Sequence, residues 1–153
     1  MAEIEKSASI AIRRSCAEVF AFVADPANFP HWQPFVKEAA ITSPGPIRTG
    51  ATYRYTFEAM GQVVETTGVI TEYQPCRRYA YRSLTGPFPI EGGFTFAEEE
   101  DGFVLVTAFG GADPGGYFPM ARSIVGLLLG RTLLTTLRSL KELLESGRPP
   151  ASG

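Results

Sequence analysis

"ATYRYTFEA", residues 51–59, sets Tyr53, Tyr55 and Phe57 on one parity and Thr52, Arg54, Thr56 and Glu58 on the other. Successive side chains of an extended strand point to opposite faces, so this run predicts a strand with one aromatic and one polar face. The same period, with more noise, continues through "FVKEAAIT" (35–42), "QVVETTGVITEY" (62–73), "RRYAYRSL" (77–84), "IEGGFTFAEE" (90–99) and "FVLVTAFG" (103–110). Turn-forming stretches at 43–50, 60–61, 74–75, 85–89 and 101–102 separate these runs, and such mostly short connections predict an antiparallel meander.

Outside this block the period changes. "IEKSASIAI" (4–12) reads as a further strand, and Ser15 with Glu18 has the spacing of a capping box, so a short helix is expected after Ser15. Asp25-Pro26 ends that helix and opens a second brief turn carrying His31 and Trp32. Towards the C-terminus, Met120, Ile124, Leu127, Leu133, Leu137, Leu140 and Leu144 fall near one helical stripe, with Gly147 as the stop. A helix of that span is about 40 Å long and crosses a whole sheet. The aromatic sheet face and the apolar helix stripe bury each other most simply as an α+β fold, a curved antiparallel sheet of about seven strands wrapped around the long C-terminal helix. Residues 1–146 read as a single domain, and "GRPPASG" (147–153) as a flexible tail.

Composition excludes several classes. Fourteen basic and sixteen acidic residues give a net charge of -2 with no block of one sign, which argues against nucleic acid as a partner. "SIVGLLLG", bounded by Arg122 and Arg131, is far shorter than the roughly 20 residues that span a bilayer. The acidic opening "MAEIEKSASIAIRR" lacks the pattern of an export signal, so a cytoplasmic location is expected, with Cys16 and Cys76 as free thiols.

With its strand, two short helices, six strands and long helix, the chain resembles the START-like (SRPBCC) superfamily, in its polyketide cyclase/dehydrase and lipid-transport branch. The likeness covers about residues 3–146 and is carried by "VADPANFPHWQPFV" (23–36), "GATYRYTF" (50–57) and the C-terminal helix. The resemblance implies a helix-grip fold with a deep pocket for apolar ligands. It implies little about chemistry, because one fold hosts many functions.

Connections in a meander alternate between the two ends of the sheet. Residues 30–35, 60–61, 85–89 and 111–118 share one end, where bulky apolar groups place the expected pocket mouth. The expected ligand-binding residues are Trp32, Tyr53, Tyr55, Phe57, Met60, Tyr79, Tyr81, Phe88, Phe94, Phe96, Tyr117, Met120, Ile124 and Leu127. A solid aromatic core is the plainer account of the same pattern. Gly126 and Gly130 remove volume from the helix, which fits either a cavity or close packing on the sheet. Trp32 reads as an anchor closing the short helices over the sheet.

Candidates for proton transfer are His31, Tyr55, Tyr81 and Arg82, although Arg82 shares the outward phase of Arg78. His31 has no identified carboxylate partner, and packing beside Trp32 or exposure to water is the reading favoured for it over catalysis. No nucleophile motif, phosphate-binding loop or paired metal-ligand spacing is present, so no metal and no cofactor are expected. "EEED" (98–101) reads as a solvated hairpin turn rather than a cation site. The leading functional reading is binding or transport of a small hydrophobic, lipid-like or aromatic molecule by a monomer or weak homodimer. Polyketide aromatase, cyclase or dehydratase activity is the alternative, and an interaction module with a collapsed pocket is a third.

Overall fold

The computed structural model describes residues 4–33, 36–59, 61–86, 89–112 and 122–146. Strand β1 (Ile4–Ile12) leads into helix α1 (Cys16–Ala24), a 3-10 turn (Pro26–Asn28) and the single-turn helix α2 (Phe29–Trp32). Six strands follow: β2 (Val36–Ile41), β3 (Thr52–Ala59), β4 (Gln62–Gln74), β5 (Arg78–Thr85), β6 (Ile90–Glu98) and β7 (Val104–Ala112). Helix α3 (Arg122–Glu145) completes the described chain. The strands form one curled antiparallel sheet in the order β1-β7-β6-β5-β4-β3-β2, the expected meander with β1 added beside β7.

Local chemistry sets the entry to each helix. Ser15 Oγ accepts from the Glu18 amide at 3.2 Å and so caps α1 as expected, while the Glu18 carboxylate accepts from the Ser15 hydroxyl at 2.9 Å in place of the Ser15 amide that a full capping box would use. Asp25 ends α1, and its carboxylate accepts from the Ala27 amide at 3.0 Å to cap the next turn. The C-terminal end of α3 is tied to the end of β1. Arg14 Nε donates to the Leu144 carbonyl at 2.8 Å, the Arg13 amide donates to Glu145 at 2.9 Å, and Lys141 donates to the Ala11 carbonyl at 2.6 Å. A cation on a last-turn carbonyl satisfies a group the helix leaves open and opposes the negative end of its dipole.

The outer sheet face is polar. Hydroxyl pairs Ser9–Thr107, Thr42–Thr52 and Thr67–Thr85 and the ion pairs Arg54–Glu65 and Arg78–Glu72 bridge neighbouring strands. These exposed ion pairs add little stability. The inner face holds the core, where Ile12, Val19, Trp32, Ile70, Val106, Leu137 and Leu140 are fully buried.

Two glycines allow close approaches within the sheet. Tyr53 pairs with Gly68 across β3 and β4, and a Cβ at Gly68 would collide with the phenol end of Tyr53 and lie 2.7 Å from the Arg82 carbonyl oxygen. At Gly93, a Cβ would strike the Tyr79 carbonyl and come within 2.8 Å of Ala80 Cα. Because rigid groups are in the way, Gly68→Ala is expected to lower unfolding stability by about 1–3 kcal/mol, measured by urea denaturation. An unchanged midpoint would contradict the close approach of Tyr53.

Candidate functional site

The alternation of β3 and β5 brings Tyr53, Tyr55, Phe57, Tyr79 and Tyr81 onto the inner face, and β6 adds Phe94 and Phe96. Their rings touch in sequence. Phe57 meets Tyr55 at 5.8 Å between centroids, Tyr55 stacks on Tyr53 at 6.0 Å, Tyr53 meets Tyr81 edge-on at 6.2 Å, and Tyr81 meets Tyr79 at 6.1 Å. The belt continues through Tyr73 and Phe20 to Phe96. Trp32 joins the wall through Phe94, at 5.5 Å, and is held from behind by Phe29 at 6.0 Å.

Trp32 has no exposed surface, and its Nε1 finds no hydrogen-bond partner among the described residues. A buried donor left unmade costs free energy, so this indole is a ready donor towards any acceptor brought beside it. The phenols are kept neutral. Burial raises Tyr53, Tyr79 and Tyr81 well above the ordinary phenol value, and repulsion among the neighbouring phenols adds to it. Burial also raises Tyr55, offset in part by the hydroxyl of Thr66 on the facing strand. The result is an apolar wall carrying protonated hydroxyls, suited to stacking on a ring system and donating to its oxygens.

Among the described residues of α3, Gly130 leaves a position without a side chain. Gly130 lies three and seven residues before Leu133 and Leu137, on their stripe. Among the described residues, a Cβ there meets nothing within 4 Å beyond its own helix and chain neighbours. Close packing on the described residues therefore does not explain this glycine.

Other candidates fall elsewhere. His31 is exposed although the adjacent Trp32 is buried, and Arg82 is exposed on the polar face with Arg78. Strand alternation and the helical turn carry both away from the tyrosine belt. Met60, Phe88, Tyr117 and Met120 lie outside the described residues, as do the side chains of Ile124 and Leu127. Two belt members were missing from the sequence reading. A bulge between Ile70 and Glu72 turns both Ile70 and Tyr73 inward, which breaks the two-residue period, and Phe20 enters from α1.

A depression of about 510 Å³ lies where Gly92, Gly110 and Gly111 carry no side chains, and it reaches Tyr81 of the belt. Its walls include Ser7, Glu72, Arg78, Arg82 and Glu91, with Phe109 covered by the Arg78 guanidinium at 4.5 Å. Charged walls suit an apolar ligand poorly, so the tyrosine belt is the better site.

The sequence profile of the family described as polyketide cyclase/dehydrase and lipid transport matches residues 1–145. The chain belongs to that family. Several solved structures share its fold at low identity. A START superfamily protein from Mycobacterium smegmatis is 19% identical with a TM-score of 0.80, covering 94% of this chain and 98% of that one. A protein from Thermus thermophilus is also 19% identical, with a TM-score of 0.79 and the same coverage. An aromatase/cyclase from a Streptomyces species is 14% identical with a TM-score of 0.73, covering 94% and 96% of the two chains. A search of curated protein sequences finds no significant match. Among the described residues of this family member, no helix is long and apolar enough to cross a membrane.

The buried phenols make stability fall in alkali. Below about pH 10 folded and unfolded chains both keep these protons; above it the unfolded chain releases protons that the folded chain retains, so stability drops as pH rises. Each of Tyr53, Tyr55, Tyr79 and Tyr81 contributes up to about 1.4 kcal/mol per pH unit until its folded value is reached. Cys16, pushed up from 9.0 to about 12 by burial and then by Cys76 and Glu98, adds its share across that interval. Urea midpoints are expected to hold steady near neutrality and fall steeply above about pH 10, less steeply in Tyr53→Phe. A flat alkaline profile would contradict the burial.

Proposed function

We propose that the protein binds one small hydrophobic molecule, aromatic or polyketide-like, between the tyrosine belt and α3. The observation that carries this reading is the connected aromatic surface on the inner face of the sheet, together with the unfilled position at Gly130 on the stripe that α3 shares with the buried Leu137 and Leu140. A ligand with fused rings would stack on Tyr53 and Tyr81, and its oxygens would accept from the phenols and from Trp32 Nε1. Membership of a family described as polyketide cyclase/dehydrase and lipid transport supports the same ligand class. The large hydrophobics exposed among the described residues, Val63, Leu84 and Leu134, are scattered over β4, β5 and α3, which disfavours an interaction module.

The neutral phenols favour a second reading, an aromatase, cyclase or dehydratase. A protonated phenol beside a carbonyl oxygen is positioned to act as a general acid while the pocket holds a reactive chain folded. Tyr55 and Tyr81 are the residues for that role; exposed His31 and Arg82 are not.

Trp32 is the only tryptophan, so its emission reports directly on this wall. Titration with planar hydroxylated polycyclic aromatics is expected to quench or shift that emission with saturation at one per chain. Gly130→Phe, which fills the open position, is expected to weaken binding by roughly tenfold or more, equivalent to about 1.4 kcal/mol. Saturable binding left intact in Gly130→Phe would remove the proposed location, and no saturable response in the parent chain would remove the ligand class. Turnover lost in Tyr55→Phe or Tyr81→Phe with binding retained would favour the enzyme.

A further inference from the structure

At the sheet end opposite the proposed mouth, three chemically matched side chains meet. Cys16 is the first residue of α1, Cys76 lies in the turn joining β4 to β5, and Glu98 is the last residue of β6. Their ligand atoms, two sulfurs and a carboxylate oxygen, all lie within 4.8 Å of one another. In a tetrahedral zinc site, with bonds of about 2.3 Å to sulfur and about 2.0–2.2 Å to oxygen, such donors stand roughly 3.5–3.8 Å apart. The donors therefore need to close by only about 1 Å.

The setting suits an ion as well. Cys16 is buried, Cys76 half-buried and Glu98 exposed, so the cluster is anchored on the protein side and reachable from solvent. Cys76 takes a left-handed backbone conformation, with φ of 59°. Turn chemistry alone would favour Gly or Asn there, and a cysteine at that point aims a sulfur at Cys16.

We propose that Cys16, Cys76 and Glu98 form a binding site for a thiophilic divalent cation of the zinc type, with the fourth coordination position left to water. Two thiolates and a carboxylate are a soft, anionic donor set that selects such an ion over magnesium or calcium. The bound ion would clamp the start of α1 to the β4–β5 turn and the end of β6, independently of what the tyrosine belt binds.

The test uses the full chain, reduced and degassed, with both thiols confirmed free by thiol titration, and adds Co²⁺ as a spectroscopic stand-in for Zn²⁺. The expected result is one ion per chain, with thiolate-to-cobalt charge-transfer absorption and the intense visible bands of a tetrahedral ion, displaced by Zn²⁺. Cys76→Ser and Glu98→Gln change surface-accessible positions, and circular dichroism checks that each folds. Cys76→Ser is expected to abolish the charge-transfer band of a two-sulfur site or halve it, and Glu98→Gln to weaken Zn²⁺ binding by at least roughly tenfold in equilibrium dialysis. The proposal is overturned if the fully reduced chain binds neither ion at one per chain, or if affinity is unchanged in both variants. A chain isolated with Cys16 and Cys76 as a disulfide is reduced and measured again, and failure to bind then counts equally against it.

Discussion

Tyr53 lies across Gly68 to reach the ring of Tyr81 two strands away, and the inner face of the sheet is organised by that crossing. A side chain at position 68 would lift the Tyr53 ring and separate β3 from β5 on this face. With the glycine in place, rings from β3, β5, β4, α1 and β6 form one connected surface. Helix α3 buries Leu137, Leu140 and Leu144 in the same hydrophobic cluster as Tyr53, Tyr79, Phe94 and Phe96. At Gly130 the helix withholds its side chain.

The two ends of the fold are held by different forces. At the C-terminal end of α3, Arg13, Arg14 and Lys141 knit helix and β1 together through main-chain groups, and burial of Leu140 and Leu144 reinforces the contact. Beside the belt, Trp32 packs between Phe29 and Phe94, with no partner for its donor among the described residues. Apolar contact tolerates exchange of one packed surface for another, whereas directional bonds to the backbone hold one register. This division fits a molecule that is fixed at one end and receptive at the other.

Much of this was legible before any coordinates. The strict alternation of β3 announced its aromatic face, Ser15 with Glu18 announced α1, and Asp25-Pro26 announced the turn that delivers Trp32. Alternation also put Arg82 on the face opposite Tyr81. What escaped depends on contacts between segments remote in sequence. Gly68 sits in "ETTGVIT" with no local sign that a ring from β3 crosses it. Tyr73 was lost to the bulge after Ile70, because a strand that shifts phase defeats any count by twos. Cys16, Cys76 and Glu98 show no paired metal-ligand spacing, and only the stacking of three strand and helix ends brings them together.

A ligand held between the tyrosine belt and α3 is the central claim, and native mass spectrometry of the purified chain tests it most directly. Sprayed intact after exposure to a mixture of lipids and aromatic polyketides, the protein should carry one apolar molecule per chain, released by organic solvent and absent from the Gly130→Phe chain. A bare parent chain that takes up nothing from the mixture would contradict it and leave the belt as a filled core.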